Sequence, residues 1–461
     1  MKRKIVLEII IIVALVAALV GICVLFSQNN NIQLTGMESP MDSSSSSSTN
    51  TTGATTVTSS QTFNNTTLTT TEADESVVVS ENGGNATITN AVISKTGNSS
   101  NTSNSEFYGL NAGVLAKANS TINISDSTIS TSGSGANALF STGSNAKIIA
   151  NNVKIATTGD SSRGLDATYG GIIEANNIEI STQGSHCAAV ATDRGEGTVT
   201  VTNGTLNTKG EGSPCVYSTG TITVSDSTGE ATGSSIAVIE GKNSITLSND
   251  NLEAAGLGRA TGGIDNCGVM IYQSMSGDAG TGTGTFTAND STLTISSDSE
   301  EYTTSPMFFS TNTNAVINLK NTKLNYGSGK LLVASGNTGE WGTQGSNGAN
   351  VTFNAEDEEL VGDITADNIS TIAISLKKST LKGTINTANT AKSVSIALDS
   401  SSKWTVTGTS YLTEITDEDS TLSNIISNGN TIYYDSTNST NSWLNGATIT
   451  LSDGGILTPA K

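Results

Sequence analysis

The chain has 461 residues, of which 35% are hydrophobic, 4% aromatic and 13% charged, and its net charge is −20. Apolar, aromatic and charged residues are all sparse for a globular enzyme, and so acidic a chain is excluded as a phosphate-binding, nucleic-acid protein. The acidity suits solubility at a cell surface; it leaves Ca2+ admissible as a ligand and points to no other cofactor.

The N-terminus reads as a membrane segment. Lys2-Arg3-Lys4 precedes Ile9 to Phe26, an uncharged stretch of 18 residues. As a helix it spans about 27 Å, close to the hydrocarbon thickness of a bilayer. The basic flank places the following residues outside the cell, so residues 1–27 are expected to form a single-pass signal anchor. A cleaved signal peptide and a lipoprotein are the alternatives. No convincing small-x-small site follows Phe26, and Ile22 is large for the position before a lipidated Cys23. Residues 28–75, with the serine run Ser43 to Ser48, read as a disordered linker reaching roughly 35–40 Å.

The next segment is repetitive. Thr131-Ser132-Gly133, Thr157-Thr158-Gly159, Thr182-Gln183-Gly184, Thr208-Lys209-Gly210 and Ala231-Thr232-Gly233 recur every 23 to 26 residues. A period of this length marks a solenoid. Within each coil three short pieces alternate apolar and polar residues: Leu110-x-Ala112, Ile122-x-Ile124 and Ile129-x-Thr131 in the first clear coil, then Ala136-x-Ala138, Ile148-x-Ala150 and Val153-x-Ile155 in the next. Alternation turns every second side chain inward, and three stacked strands per coil make an all-β parallel β-helix, expected over residues 76–415. Asp126, Asn151, Asn176, Asn203, Asp226, Asn249, Asp290 and Asn321 lie just before the third strand. Asn and Asp tolerate left-handed backbone, so these are expected to be corner residues able to form an amide ladder. Gly256 to Gly284 and Ser335 to Asn350 read as loops, the second protruding with Trp341. Residues 416–461, with Tyr433, Tyr434 and Trp443, read as the cap that an open solenoid end requires.

Few residues offer chemistry. Cys187, Cys215 and Cys267 align at one expected inward position, as a core ladder or, for Cys187 and Cys215, as a disulfide; the spacing does not suit zinc. His186, the one histidine, should face away from Cys187, which argues against a Cys–His pair. Glu356-Asp357-Glu358-Glu359 reads as a solvated loop. Arg163 and Asp166, with Asp193 and Arg194 one coil on, form the best acid–base cluster. Asn111, Asn137 and Asp166 are expected to face outward from three successive coils as a flat polar stripe flanked by Tyr108 and Tyr169. Such a stripe suits an extended glycan, and these five are the candidate ligand-binding residues.

The coils from Gly109 to Gly256, and the segment Ile396-Ala397-Leu398-Asp399-Ser400-Ser401-Ser402-Lys403-Trp404-Thr405-Val406-Thr407-Gly408-Thr409-Ser410-Tyr411-Leu412, resemble adhesin-like right-handed parallel β-helix surface proteins. That group includes the carbohydrate-binding β-helix proteins of gut clostridia and methanogens and the passengers of autotransporters. Fewer than 60 residues follow Trp404, too few for an autotransporter's membrane barrel, so the expected anchor is N-terminal. The resemblance implies a non-enzymatic adhesin that binds a polysaccharide or cell-surface glycan; the chain is expected to be a monomer held at the cell membrane by its N-terminal segment. A polysaccharide lyase-like enzyme and a passive spacer are the alternatives.

Overall fold

The computed structural model describes residues 50–258 and 266–460. The expected anchor at 1–27 lies outside them, and none of the described helices is long and apolar enough to cross a membrane. The described chain is a parallel β-helix. Twelve strands, from Thr52–Val57 to Asp363–Ala366, stack into one parallel sheet, the first sheet, each contributed by a successive coil. The rest of each coil supplies the other ladders. In the central coils one strand, such as Thr121–Thr131, Lys147–Thr157 or Ile172–Thr182, crosses the corner between them.

The alternating residues build the core as expected. Ile122, Ile124, Ile129 and their equivalents in later coils are buried in one continuous apolar cluster. The corner also forms. Asp126, Asn152, Asn177, Asn203, Asp226 and Asn249 have φ between 51° and 59°. Their amides run from coil to coil: Asn152 Nδ2 donates to Asp126 Oδ1 (2.9 Å), Asn177 Nδ2 to Asn152 Oδ1 (2.8 Å) and Asn249 Nδ2 to Asp226 Oδ1 (2.7 Å). In two coils the left-handed residue is the second of an Asn pair, Asn152 and Asn177, rather than Asn151 and Asn176.

The Thr-x-Gly punctuation has a steric cause. Thr131, Thr157, Thr182 and Thr208 are paired neighbours at the ends of four successive strands. Two residues later the glycines stack. A Cβ on Gly159 would lie 2.2 Å from the Gly133 carbonyl oxygen, one on Gly184 2.2 Å from that of Gly159, and one on Gly210 1.8 Å from that of Gly184. No side chain fits between coils at that corner.

Four expectations change. Thr52–Val57, Ser60–Asn64 and Thr67–Thr70 are strands paired to the second coil, so the solenoid begins inside the stretch read as a 28–75 linker. Thr and Ser occupy most of that coil, which hides its alternation; Val57 is buried and Phe63 and Leu68 pack on the core. The first-sheet strands lie at Val114–Ala116, Leu139–Thr142 and Val190–Thr192, several residues after the pieces read from Leu110, Ala136 and Cys187, because the corner after the glycine uses those residues. The 335–350 insertion is exposed at 338–340 and 343–346, but Trp341 is buried with its ring 4.6 Å from that of Tyr272, which holds the segment to the coil. Coil strands continue past 415 to Thr431–Tyr434 and Ile456–Pro459; there the antiparallel strand Ile449–Thr450 and the 3-10 helix Ser439–Leu444 close the end.

Candidate functional site

The outer face of the first sheet carries the row Leu115, Phe140, Asp166, Ala191, Tyr217, Val238, Met270 and Phe309, each the register partner of the next. It is not an open face. Its N-terminal part is covered by a short helix, α1 (Thr102–Tyr108), inserted into the coil that links Val78 to Val114. Asn101 caps α1 by accepting from the Asn104 N–H, and Gly109, at φ 70°, ends it against Leu115 and Phe140.

Beneath α1 the expected polar stripe is buried. Asn111, Asn137 and Asp166 are all fully inaccessible. Asn111 is a left-handed corner residue, φ 73°, whose amide donates to the Gly97 carbonyl (2.8 Å). The Asn137 amide donates to the Ser105 carbonyl of α1 (3.0 Å), and its oxygen accepts from the Arg163 N–H (2.8 Å). These two asparagines satisfy backbone and cannot receive a glycan. Strand parity had placed them outward; it could not show what lies above them. Tyr108 and Tyr169 do meet, stacked at 5.3 Å and 6°, at the edge of the cover.

The acid–base cluster assembles around Arg163. Its guanidinium lies 2.9 Å from Asp193, 3.6 Å from Asp166 and 3.6 Å from Glu106 of α1. Burial pushes the Asp193 carboxyl up to about 7 and the Asp166 carboxyl well above its ordinary range, with Arg163 opposing both shifts. Burial also works against the Arg163 charge, but Asp193, Asp166 and Glu106 outweigh it and raise the guanidinium further. Arg194 points elsewhere. It takes Asp278 of the 273–282 loop in a fork (2.6 and 3.0 Å) and lies 4.1 Å from the centre of the Phe107 ring. Arg194 therefore ties α1 to that loop. Further along the sheet, buried Glu240 accepts from Tyr217 (3.0 Å), Tyr272 (2.9 Å) and Ser274. Asp166, Asp193 and Glu240 are buried beneath the surface of this face.

The three cysteines separate. Cys215 lies in the main core and Cys267 in an outer cluster with Met270, Tyr272, Phe309 and Trp341. Cys187 sits at the corner, where its Sγ accepts from the Ser162 N–H (3.0 Å) and its own N–H donates to Ser213 Oγ (2.8 Å). It stands in for a serine in a Ser162–Cys187–Ser213 ladder. All three cysteines are buried, Cys187 and Cys215 are not joined in a disulfide, and the expected single inward position does not exist. His186 is exposed beside buried Cys187, as parity required, although a left-handed φ of 56° produces the reversal. Glu358, read as part of a solvated loop, is buried and accepts the Thr322 N–H (2.7 Å). No group of three or more His, Cys, Asp or Glu among the described residues is arranged to hold a metal ion.

A half-exposed polar surface lies on another ladder. Thr198, Thr200 and Thr202 alternate with buried Val199 and Val201 and pair outward with Thr221, Thr223 and Ser225, then Ser244, Thr246 and Ser248, then Thr285, Thr287 and Asn289. Eleven of these twelve side chains end in a hydroxyl and the twelfth in an amide; none is charged. From Asn289 the surface continues into a shallow cleft of about 220 Å³ lined by Asn318, Asn354, Ser375, Lys320 and Glu356. In it the Asn354 amide donates to Asn318 (2.9 Å) and Lys320 pairs with Glu356 (2.7 Å). No motif marks this array; only the coil register reveals it. Compared with family models, curated proteins and solved structures, the chain matches none of them.

Proposed function

We propose that the protein is a non-catalytic, surface-anchored glycan-binding β-helix, wound with the right hand expected of parallel crossovers, whose ligand lies on the Thr198–Asn289 hydroxyl array. The observation that carries this reading is the array itself: three rows of hydroxyls over four coils, with Asn289 the one amide, uncharged and half-exposed. Rows two residues apart are separated by about 6.6–6.8 Å and coils by about 4.7–4.9 Å, so an extended polymer finds donors and acceptors at regular intervals. The absence of charge there favours a neutral polysaccharide over a polyuronate. The N-terminal segment would serve as the anchor, and the acid–arginine cluster would have no catalytic part.

The test is retention of the purified full-length chain on a panel of insoluble polysaccharides and whole cells, with product formation followed in the same wells. The reading expects retention on a neutral polymer, loss of it in Thr223→Lys and Thr246→Glu, and no unsaturated products. Absence of retention on every polymer and cell type, or full retention by both variants, overturns it.

A further inference from the structure

Among the described residues α1 is the one α-helix, and left-handed residues, Gly109 and Asn111, join it to the next strand. Single contacts hold it to the sheet. Glu106 faces Arg163, the Phe107 carbonyl accepts from Thr168 Oγ1 (2.9 Å), the Ser105 carbonyl accepts from Asn137 (3.0 Å), Tyr108 stacks on Tyr169, and the Phe107 ring meets Arg194. Under it lie Leu115 and Phe140, a small apolar cluster separate from the main core.

The charges beneath α1 do not balance. Arg163 is the one cation among Glu106 from α1, Asp166 from Leu165–Thr168 and Asp193 after Val190–Thr192. Asp278 on the facing loop already takes Arg194, and Tyr217 and the Tyr108–Tyr169 pair supply no positive charge. Both Asp166 oxygens and one Arg163 nitrogen make no hydrogen bond, although all three are buried. With every carboxyl ionised, three carboxylates share one guanidinium, and two of them, Asp166 and Asp193, are buried.

We propose that α1 is a proton-controlled cover on the first sheet, latched while Asp166 and Asp193 retain protons around Arg163 and released when they ionise. The sign follows from linkage. The closed form holds protons that a hydrated carboxyl near its ordinary value of about 4 has released. The latch is therefore complete in acid and lost as pH rises toward the Asp193 value of about 7. Release uncovers Leu115, Phe140, Asn137 and Asp166, so the face is cryptic in acid and accessible in mild alkali. This device does not depend on the glycan reading, which concerns another face.

Amide hydrogen exchange on the full-length chain tests it. Protection of the peptide covering 101–116 is divided by that of Thr198–Thr208, which removes the intrinsic pH dependence. Between about pH 5 and about pH 8.5 the ratio should fall by about tenfold or more. The double variant D166N/D193N, neutral at every pH, should keep the acid-form ratio throughout; D193N alone should lose most of the fall. A wild-type ratio that does not change, which requires no variant to fold, overturns the proposal. So does a double variant that retains the wild-type fall.

Discussion

Gly184→Ala tests the reason for the repeat. The backbone at Gly184 is not in the left-handed region, so alanine is admissible there on conformation alone, but its Cβ would sit 2.2 Å from the Gly159 oxygen and 2.5 Å from the Gly159 carbonyl carbon. Carbon does not approach oxygen so closely, and the two coils must part by roughly 1 Å at this corner. The inter-coil hydrogen bonds beside it, Gln183 N–H to Thr157 O (3.0 Å) and Ser161 N–H to Ser185 O (2.9 Å), then exceed bonding distance. Two such bonds at about 1 kcal/mol each, with the loosened corner packing, cost about 2–3 kcal/mol, against about 0.4–1 kcal/mol regained from the stiffer unfolded chain. The net expectation is about 2 kcal/mol of destabilisation. Gly408→Ala is the control: it meets only the Thr384 methyl at 3.1 Å, in a backbone without positive φ, and should lie within about 0.5 kcal/mol of the parent. Urea unfolding followed by far-ultraviolet circular dichroism compares the midpoints, with slopes checked because solenoids can unfold in parts. Equal midpoints for Gly184→Ala and the parent would refute the steric argument and make the punctuation a matter of turn preference alone.

Other outcomes follow from the corners and the buried cluster. Cys187→Ser should change stability by less than about 1 kcal/mol, because serine fills this ladder position at 162 and 213, whereas Cys187→Val should cost about 1–3 kcal/mol by leaving the Ser162 N–H without an acceptor; both are read by denaturant titration. Burial pushes the Cys187 and Cys215 thiols up to about 11 and about 12, so peptide mapping after alkylation at neutral pH should find both unmodified in the native chain. Asn152→Ala should cost about 1–2 kcal/mol in thermal unfolding, since it loses two ladder bonds and places alanine at φ 55°, and Asn152→Gly should recover part of that. Arg163→Met should destabilise by about 1–3 kcal/mol near pH 5, where the closed cover packs Glu106, Asp166 and Asp193 around that single cation, and by less above pH 8, where release exposes these groups to water in parent and variant alike. Equal losses at the two pH values would contradict the charge account.

The coil period, the inward Ile-x-Ile pairs and the amide corner were legible because each is a local property repeated many times. A single coil does not distinguish Asn151 from Asn152 as the left-handed residue, because either amide can adopt that backbone. The first coil was illegible because Thr55 and Thr56 stand where the next two coils carry Val78 and Val79, then Val114 and Leu115; only pairing with Glu75–Ser80 defines it as a strand. The cysteines were misaligned because the connection from glycine to strand varies in length between coils, so counting from the punctuation does not preserve register there. Cys187 sits in the corner, Cys215 faces the core and Cys267 faces an outer cluster.

The candidate site shows where parity stops being informative. Alternation says which side of a strand a residue takes, and Asp166 does leave the inner side; exposure depends on what the chain places above. Signs of the cover were present in the sequence: Asn101 begins and Gly109 ends a stretch with helix-capping residues at both ends, in a coil with a long connection before the first-sheet strand. Arginine carries a second sign. Arg163, Arg194 and Arg259 are the only arginines beyond the N-terminal flank, and two of them are separated by little more than one coil. In a solenoid this poor in charge, a paired appearance of arginine and aspartate implies burial under something, since an exposed face needs no such neutralisation. The Thr198–Asn289 array shows the converse. It has no arginine, no aromatic residue and no inserted helix, and it stays open because nothing in its composition would repay covering it. Conspicuous residues therefore mark the closed face of this protein and inconspicuous ones the open face.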